Sequence, residues 1–427
     1  MNLNNTRRDF MKTGGTAALT STIMAPAILR GAPNNSPLKI GLVGCGGRGS
    51  GAAQQALNAD KNAKLWALGE AFENKVNSAH SRFSKSHGEQ VDVAADRKFV
   101  GLDAFQKVID SGVDVVLLAT PPGFRPQHLR AAVEAGKHVF CEKPMATDAP
   151  GVRSVLKSAA MAKEKNLSLV AGFCWRYNYA RREAFRRVHD GQIGDVKTYY
   201  ATYYTGPVKP MPPADRRPDG IGDIEWQIRN WYNFCWLSGD SIAEQAVHSV
   251  DKIAWAMKDE VPKECIANGG RAVKAHGGNI FDHFSIKYEY GDGARAFLGS
   301  RQISGCANEN ADYILGTKGD CFIGKGPKPY IKGENRWRYE GQDPNMYQVE
   351  HNELFASIRS GEPINDGEWM AKSTMLAIMG RMAAYTGKRI TWDEAINSKQ
   401  VLVPENPSFD MKHEVPPLAV PGLTKFV

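Results

Sequence analysis

The chain has 427 residues, yet it contains no CxxC pair, no histidine cluster, no run of basic residues and, past the first thirty positions, no long apolar stretch. Each absence removes a class of explanation. The seven cysteines (45, 141, 174, 235, 265, 306 and 321) are odd in number and irregular in spacing, which argues against a disulfide framework. Several sit inside apolar runs, such as Val139-Phe140-Cys141 and Gly172-Phe173-Cys174, where a thiol behaves as a small buried hydrophobe. The formal charge of +8 suggests nucleic acid at first sight, but Arg7, Arg8, Lys12 and Arg30 against Asp9 place +3 of it in the first 32 residues. The remaining +5 is scattered, which speaks for solubility and against a nucleic-acid partner. No later stretch has the apolar length of a membrane span. What is present, 42% apolar and 23% charged residues, is the composition of a globular protein too long for one core, so two domains are expected.

The first 32 residues carry an address. Thr6-Arg7-Arg8-Asp9-Phe10-Met11-Lys12, followed by the mildly apolar run from Thr16 to Leu29, resembles a twin-arginine signal peptide, with Ala25-Pro26-Ala27 or Gly31-Ala32 as cleavage points. That resemblance implies transit through the twin-arginine translocon and a periplasmic or exported location, membrane-associated if the signal is uncleaved. Such export carries folded proteins, so it also predicts a cofactor loaded beforehand. Gly, Ala, Ser and Thr dominate the run and make it a weak permanent anchor.

From Lys39 to Pro144 strands and helices alternate. Lys39 to Val43 is a short apolar strand that runs into Gly44-Cys45-Gly46-Gly47-Arg48-Gly49 and then a helix from Ser50 to Leu57. This is GxGxxG in its proper setting: Gly44 allows the tight turn, Gly46 lets a pyrophosphate approach the backbone, and Gly49 lets helix and strand pack closely. The next strand, Ala63 to Leu68, ends at Gly69-Glu70, whose carboxylate suits the ribose hydroxyls of NAD; Arg48 nearby leaves NADP open. A third strand, Val113 to Ala119, delivers Thr120-Pro121, a helix follows from Pro126 to Ala135, and the strand His138 to Cys141 delivers Glu142-Lys143-Pro144. In a doubly wound parallel sheet these carboxyl ends face the ligand crevice.

These motifs resemble the Gfo/Idh/MocA family of sugar and cyclitol oxidoreductases: the glycine turn, Thr120-Pro121 with His128 downstream, Ala135-Gly136-Lys137-His138-Val139, and above all Glu142-Lys143-Pro144. Further along, Trp175-Arg176-Tyr177 and Glu244-Gln245-Ala246-Val247-His248 continue the likeness, which spans roughly Lys39 to Gly387. The resemblance implies a Rossmann domain at 37–165, an α+β substrate and oligomerisation domain at 166–390 with an open, mostly antiparallel sheet, and a C-terminal extension at 391–427. Segments Val196–Tyr204, His283–Tyr290 and Ala294–Ser300 alternate as half-buried strands, while Gly316-Thr317-Lys318-Gly319 resembles the hairpin found late in the family's sheet, which implies that a helix around Ala371 to Thr386 returns to pack on the first domain. A homo-oligomer through the second sheet is a further implication.

Removing a hydride from a carbinol carbon requires that the hydroxyl proton leave too, so a base must stand within hydrogen-bond reach. Lys143 and His248 are the candidates. Burial beside a cationic ring disfavours the ammonium form of Lys143, which then orients or relays the hydroxyl proton. The resemblance makes His248 the general base, and the four-residue spacing to Glu244 puts that carboxylate on the same helical face to orient the imidazole. Family members commonly carry Asp where Glu244 stands. Glu244, His248 and Asp251 do not complete a metal site, and no metal is expected. Cofactor contacts are assigned to Gly44, Gly46, Gly47, Arg48, Gly49, Glu70, Thr120, Pro121, His128, Glu142 and Lys143, and substrate contacts to Arg176, Tyr177, Arg229, Trp231 and His248. The stretch Glu225 to Trp236 is dense in aromatic and amide groups that suit sugar rings and hydroxyls, and equally a buried structural cluster. The Pro-rich loop before it, Pro207 to Pro218, reads as a rim or an oligomer contact.

The leading expectation is an exported NAD(H)-dependent oxidoreductase acting on a secondary hydroxyl of a sugar, cyclitol or glycoside, with C3 as one candidate carbon. A redox glycosidase, which oxidises, eliminates and reduces again, is the alternative; as the family is understood, that branch lacks the lysine of Glu-Lys-Pro. A catalytically silent sugar-binding protein is the third reading, opposed by the intact Lys143 and His248.

Overall fold

The computed structural model describes residues 36–427; the twin-arginine segment lies outside them. The first half lays down a six-stranded sheet from β1 (Leu38–Val43), β2 (Ala63–Glu70), β3 (Lys98–Val100), β4 (Val115–Leu118), β5 (His138–Cys141) and β6 (Leu169–Ala171). All pairs are parallel and the order is β3-β2-β1-β4-β5-β6. Helices α1 (Gly47–Ala59), α2 (Glu73–Ser86), α3 (Ala104–Asp110), α4 (Arg125–Glu134) and α5 (Ala149–Glu164) cross between strands. A sheet covered on both faces needs strands that are apolar throughout rather than alternating. Strand β4, Val115-Val116-Leu117-Leu118, is buried at every position, which is why it stands out in the sequence. The strand expected third is therefore fourth in the chain: β3 has three residues and no apolar pattern, so nothing in its composition announced it.

Beyond β6 and α6 (Tyr179–His189) the chain builds a nine-stranded sheet from β7 (Val196–Thr205), β8 (Glu264–Gly270), β9 (His283–Glu289), β10 (Arg295–Gln302), β11 (Glu309–Gly316), β12 (Gly319–Gly324), β13 (Tyr330–Gly333), β14 (Trp337–Arg338) and β15 (Ile390–Thr391). Its order is β14-β13-β12-β11-β7-β10-β9-β8-β15. Only β7 and β10 run parallel; the other neighbours are antiparallel. The two-residue turn Thr317-Lys318 joins β11 to β12, the hairpin expected there. Along β7 the residues Tyr199, Ala201 and Tyr203 point into the core while Tyr200 faces out, the period-two pattern of a half-buried strand.

Between β7 and β8 lie α7 (Asp223–Arg229), α8 (Cys235–Ser238), a five-residue π-turn (Ile242–Ala246) and α9 (Val247–Ala256). Helices α10 (Met346–Ser360), α11 (Gly367–Thr386) and α12 (Trp392–Asn397) follow the large sheet. Helix α11 is buried on all sides, from Met370 to Ala384, because it packs against both α5 and β8. Two expected boundaries shift. The first sheet continues to Ala171, past the boundary at 165, and the segment after 391 is no free extension, since Leu402, Val403, Phe409 and Met411 pack into a cluster built from Phe72 and Phe124 of the first domain and Ile224, Ile228, Phe234 and Trp236 of the second. All seven cysteines are unpaired and six are buried. Among the described residues no helix is long and apolar enough to cross a membrane.

Candidate active site

The glycine turn comes first because β1 delivers it. Gly44 takes φ +95°, which L side chains rarely adopt, and a Cβ there would stand 2.7 Å from the Ala119 backbone. At Gly49 a Cβ would lie 1.9 Å from the Gly44 carbonyl oxygen, so α1 can approach β1 this closely only through glycine. Above Gly46 and Gly47 there is open space, and the first turn of α1 has no side-chain cap. Unpaired N–H groups at a helix start, facing an open cradle, form a site for a phosphate-sized anion. Glu70 ends β2 beside this turn; its Oε2 accepts the Cys45 N–H at 2.9 Å. Glu70, Gly44 and Gly46 line one groove with Phe72, Leu102, Thr120, Pro121, Phe124 and His128. A pyrophosphate cradle followed by an acidic ribose partner fits a nicotinamide dinucleotide.

His128 stands under this groove, its Nδ1 3.1 Å from the Thr120 hydroxyl and its ring stacked on Phe105 at 4.0 Å. Burial, aided by the neighbouring Arg125, pulls it down to about 3, so it is neutral and serves as a fixed partner for Thr120. Arg48 turns away from Glu70. It pairs with Glu142, lies 3.2 Å from Glu350 Oε1, and sits over the Tyr347 ring at 4.8 Å. A guanidinium held by two carboxylates is not free to receive a 2′-phosphate, so the opening left for NADP closes and NAD is favoured.

The second cavity, about 310 Å³, continues the groove. Arg48, Thr120, Glu142, Lys143, Trp175, Tyr203, Trp231, Glu244, Gln245, His248 and Tyr347 are among the residues around it. Lys143, at the carboxyl end of β5, donates to the Glu244 carboxylate at 3.0 Å and also to the Glu244 main-chain carbonyl. Gln245 donates to the other carboxylate oxygen at 2.5 Å and accepts from the Tyr203 hydroxyl at 2.8 Å. His248 is half-buried in the cavity wall, stacked on Trp175 at 5.2 Å, and its buried Nδ1 has no partner. Burial, reinforced by Lys143, Lys252, Arg181 and Arg48, holds its pKa well below the ordinary imidazole value. A neutral imidazole that lines the cavity can accept a proton on its unprotonated nitrogen.

Several expectations are corrected here. Glu244 does not orient His248; its carboxylate is taken by the Lys143 ammonium, a stronger partner than an uncharged imidazole. Arg176 does not reach the cavity. It is buried between Asp251 and Asp259, at 2.9 and 2.5 Å, and the Asp251 weighed as a metal ligand is thereby committed to an ion pair. Tyr177 is buried as well, donating its hydroxyl to Asp366 at 2.6 Å. Arg229 bonds to Glu225 and covers the outer face of Phe72 at 4.0 Å. Of the assigned substrate residues only Trp231 and His248 line the cavity. Trp175, Tyr203, Gln245 and Tyr347 were missed. Gln245 adjoins Glu244, and Trp175 adjoins Arg176, so both could have been found; Tyr203 and Tyr347 become neighbours only through packing of distant segments.

An all-parallel Rossmann sheet with a glycine turn and an acidic residue after β2, set beside a cavity lined by a lysine and a neutral histidine, is an arrangement suited to nicotinamide-dependent redox chemistry. Residues 38–173 match the sequence model of the Gfo/Idh/MocA family, described as "Oxidoreductase family, NAD-binding Rossmann fold". Among curated relatives, the chain is 27% identical over 194 residues to a dTDP-3,4-didehydro-2,6-dideoxy-alpha-D-glucose 3-reductase of Actinomadura kijaniata, covering 45% of this chain and 50% of the relative. It is 26% identical to an inositol 2-dehydrogenase of Rhodococcus erythropolis, covering 68% and 73%. The chain thus spans from half to about three quarters of the length of these two relatives. Among solved structures, the aldose-aldose oxidoreductase from Caulobacter crescentus superposes with a TM-score of 0.65 at 21% identity, over 83% of this chain and 99% of that one, which establishes a shared fold.

Proposed function

We propose that this protein is an exported oxidoreductase that moves a hydride between a secondary hydroxyl of a sugar, cyclitol or glycoside and a bound NAD. The observation that carries the reading is the convergence of Lys143 and an uncharged His248 on one cavity continuous with the dinucleotide groove. Bound in that groove, the nicotinamide supplies the hydride acceptor. His248 takes the proton of the substrate hydroxyl as the C–H bond breaks, and returns it when a carbonyl is reduced. Lys143, steadied by Glu244, points a donor at the same oxygen. Trp231 and Trp175 offer apolar faces for a sugar ring, and Tyr203, Gln245 and Tyr347 offer polar partners for its hydroxyls. The sugar and cyclitol substrates in the names of the relatives support this class of substrate.

Export rests on the Arg7-Arg8 leader. Cell fractionation tests it: the native chain is expected outside the cytoplasm, and replacing both arginines by lysine is expected to trap it inside. For the activity, purified protein is denatured to release bound dinucleotide. The native protein is then scanned against sugars, cyclitols and aryl glycosides at the absorbance band of reduced nicotinamide. Protein that neither contains nor binds NAD refutes the reading. Aglycone release without net reduction points instead to the glycosidase.

A further inference from the structure

The dinucleotide groove has a roof, and the roof is held down from outside. Ile228 at the end of α7 and Trp231 just after it line the groove together with Phe72, Leu102 and Phe124. The other side of α7 is gripped by the last segment of the chain. Gln227 donates to the His413 carbonyl at 2.6 Å and accepts from the Trp236 indole at 2.6 Å; the His413 N–H reaches Asp223 at 3.2 Å, and the His413 ring meets Trp236 edge-on at 5.5 Å. Phe409 stacks on Phe72, itself a wall of the groove, at 5.8 Å with 13° between the rings. At Gly222, which caps α7, a Cβ would stand 2.2 Å from the Phe409 carbonyl oxygen, so helix and tail touch backbone to backbone. Further back, the Leu402 N–H is anchored to Asp148 at 2.8 Å, and Leu402, Val403, Phe409 and Met411 pack into one apolar cluster with Phe72, Ile224, Ile228 and Trp236.

Trp231 follows the end of α7 by two residues, and α7 is bonded to His413 through both Gln227 and Asp223. We infer that residues 402–413 are a latch that keeps the α7 roof closed and so makes NAD a retained group rather than one exchanged with solvent at each turnover. This rests on NAD binding in the groove. A closed lid acts chiefly on the rate at which a ligand leaves.

The test uses the full chain and bound NADH, whose fluorescence is followed after mixing with excess NAD. Phe409→Ala and Gln227→Leu loosen the latch without touching the cavity around Lys143 and His248. Each is expected to speed NADH release by tenfold or more, with far-ultraviolet circular dichroism unchanged. Phe409→Tyr, which keeps the ring, is expected to release NADH at the native rate. Release rates for the alanine and leucine variants within twofold of the native protein overturn the latch, as does a native protein that exchanges NADH within a second. Failure of the native protein to bind NADH at all refutes the oxidoreductase reading, a result separable from equal release rates.

Discussion

Replacing Glu244 by Gln separates two roles that this carboxylate could play. The amide keeps the shape and an acceptor oxygen, so what is lost is the charge. Lys143 Nζ stands 3.0 Å from Oε1, and both side chains are about 10% exposed. At an effective dielectric near 20, two unit charges at that separation attract by about 5 kcal/mol, much of it offset by the cost of desolvating them. Because Lys143 also keeps the Glu244 main-chain carbonyl, the net loss falls to about 1.5–3 kcal/mol, the range for a hydrogen bond to a charged group. If Lys143 acts in the transition state, kcat/KM drops about 10–100-fold. A double-mutant cycle assigns the loss. Glu244→Gln combined with Lys143→Met should cost little more than Lys143→Met alone, a coupling of about 1–3 kcal/mol. Steady-state rates on the best sugar, with NADH affinity measured in parallel, give each corner of the cycle. Coupling near zero with Lys143, alongside strong coupling between Glu244 and His248→Asn, refutes the reasoning and restores the carboxylate to the histidine.

His248 is held neutral by burial and nearby cations, so kcat/KM should stay flat as pH falls through the ordinary imidazole range; an acid limb centred near pH 6.5 refutes this. Stability behaves differently. His128 and His351 are buried with pKa values of about 3, whereas the unfolded chain binds protons on them below about pH 6.5. The unfolded state then holds more protons, so these histidines lower stability as pH falls, by about 2 kcal/mol each between pH 7 and 5; urea midpoints should show it, and with His248 contributing in the same direction, His351→Met should remove roughly a third of the histidine contribution to the slope. Glu70→Ala should weaken NADH binding about 10–100-fold in fluorescence titrations and narrow the preference over NADPH; an unchanged ratio contradicts the ribose role. Arg176→Met strands Asp251 and Asp259 and should lower unfolding free energy by about 3–5 kcal/mol, with substrate KM unchanged in whatever protein remains folded.

The dinucleotide half was legible because its signals are local. A parallel strand covered on both faces must be a continuous apolar run, and a GxGxxG between such a run and a helix has one setting in which all three glycines are used. The substrate half was legible only where one segment carries its own context, as at Glu142-Lys143-Pro144. Arg176 was misassigned because its partner Asp259 lies 83 residues away, a distance across which charge complementarity leaves no trace in a single sequence. Glu244 was misassigned because helical spacing says which side chains share a face, not which of two neighbours wins a carboxylate. The segment at 228–231 and the tail that packs on α7 were invisible for the same reason: their contacts span from 186 to more than 300 residues of chain.

Helix α9 shows how far the chemistry depends on groups outside the cavity. Within five residues it carries His248, Asp251 and Lys252. Asp251 is tied to Arg176, which follows the first sheet, and Lys252 to Asp312 on β11 of the second, a pair only 1% exposed. The helix is thus pinned by an ion pair on each side, and His248 is held at the seam between the two sheets. Lys252 also stands 4.0 Å over the Trp175 ring on which His248 stacks, and its charge helps keep that histidine neutral. Asp312→Asn touches neither cofactor groove nor substrate cavity, yet it removes the counter-charge of a buried lysine whose pKa burial already lowers to about 8, and so favours loss of a positive charge one ring away from His248. Its effect should therefore register in the pH dependence of turnover as well as in stability, whereas a purely structural pair would move stability alone.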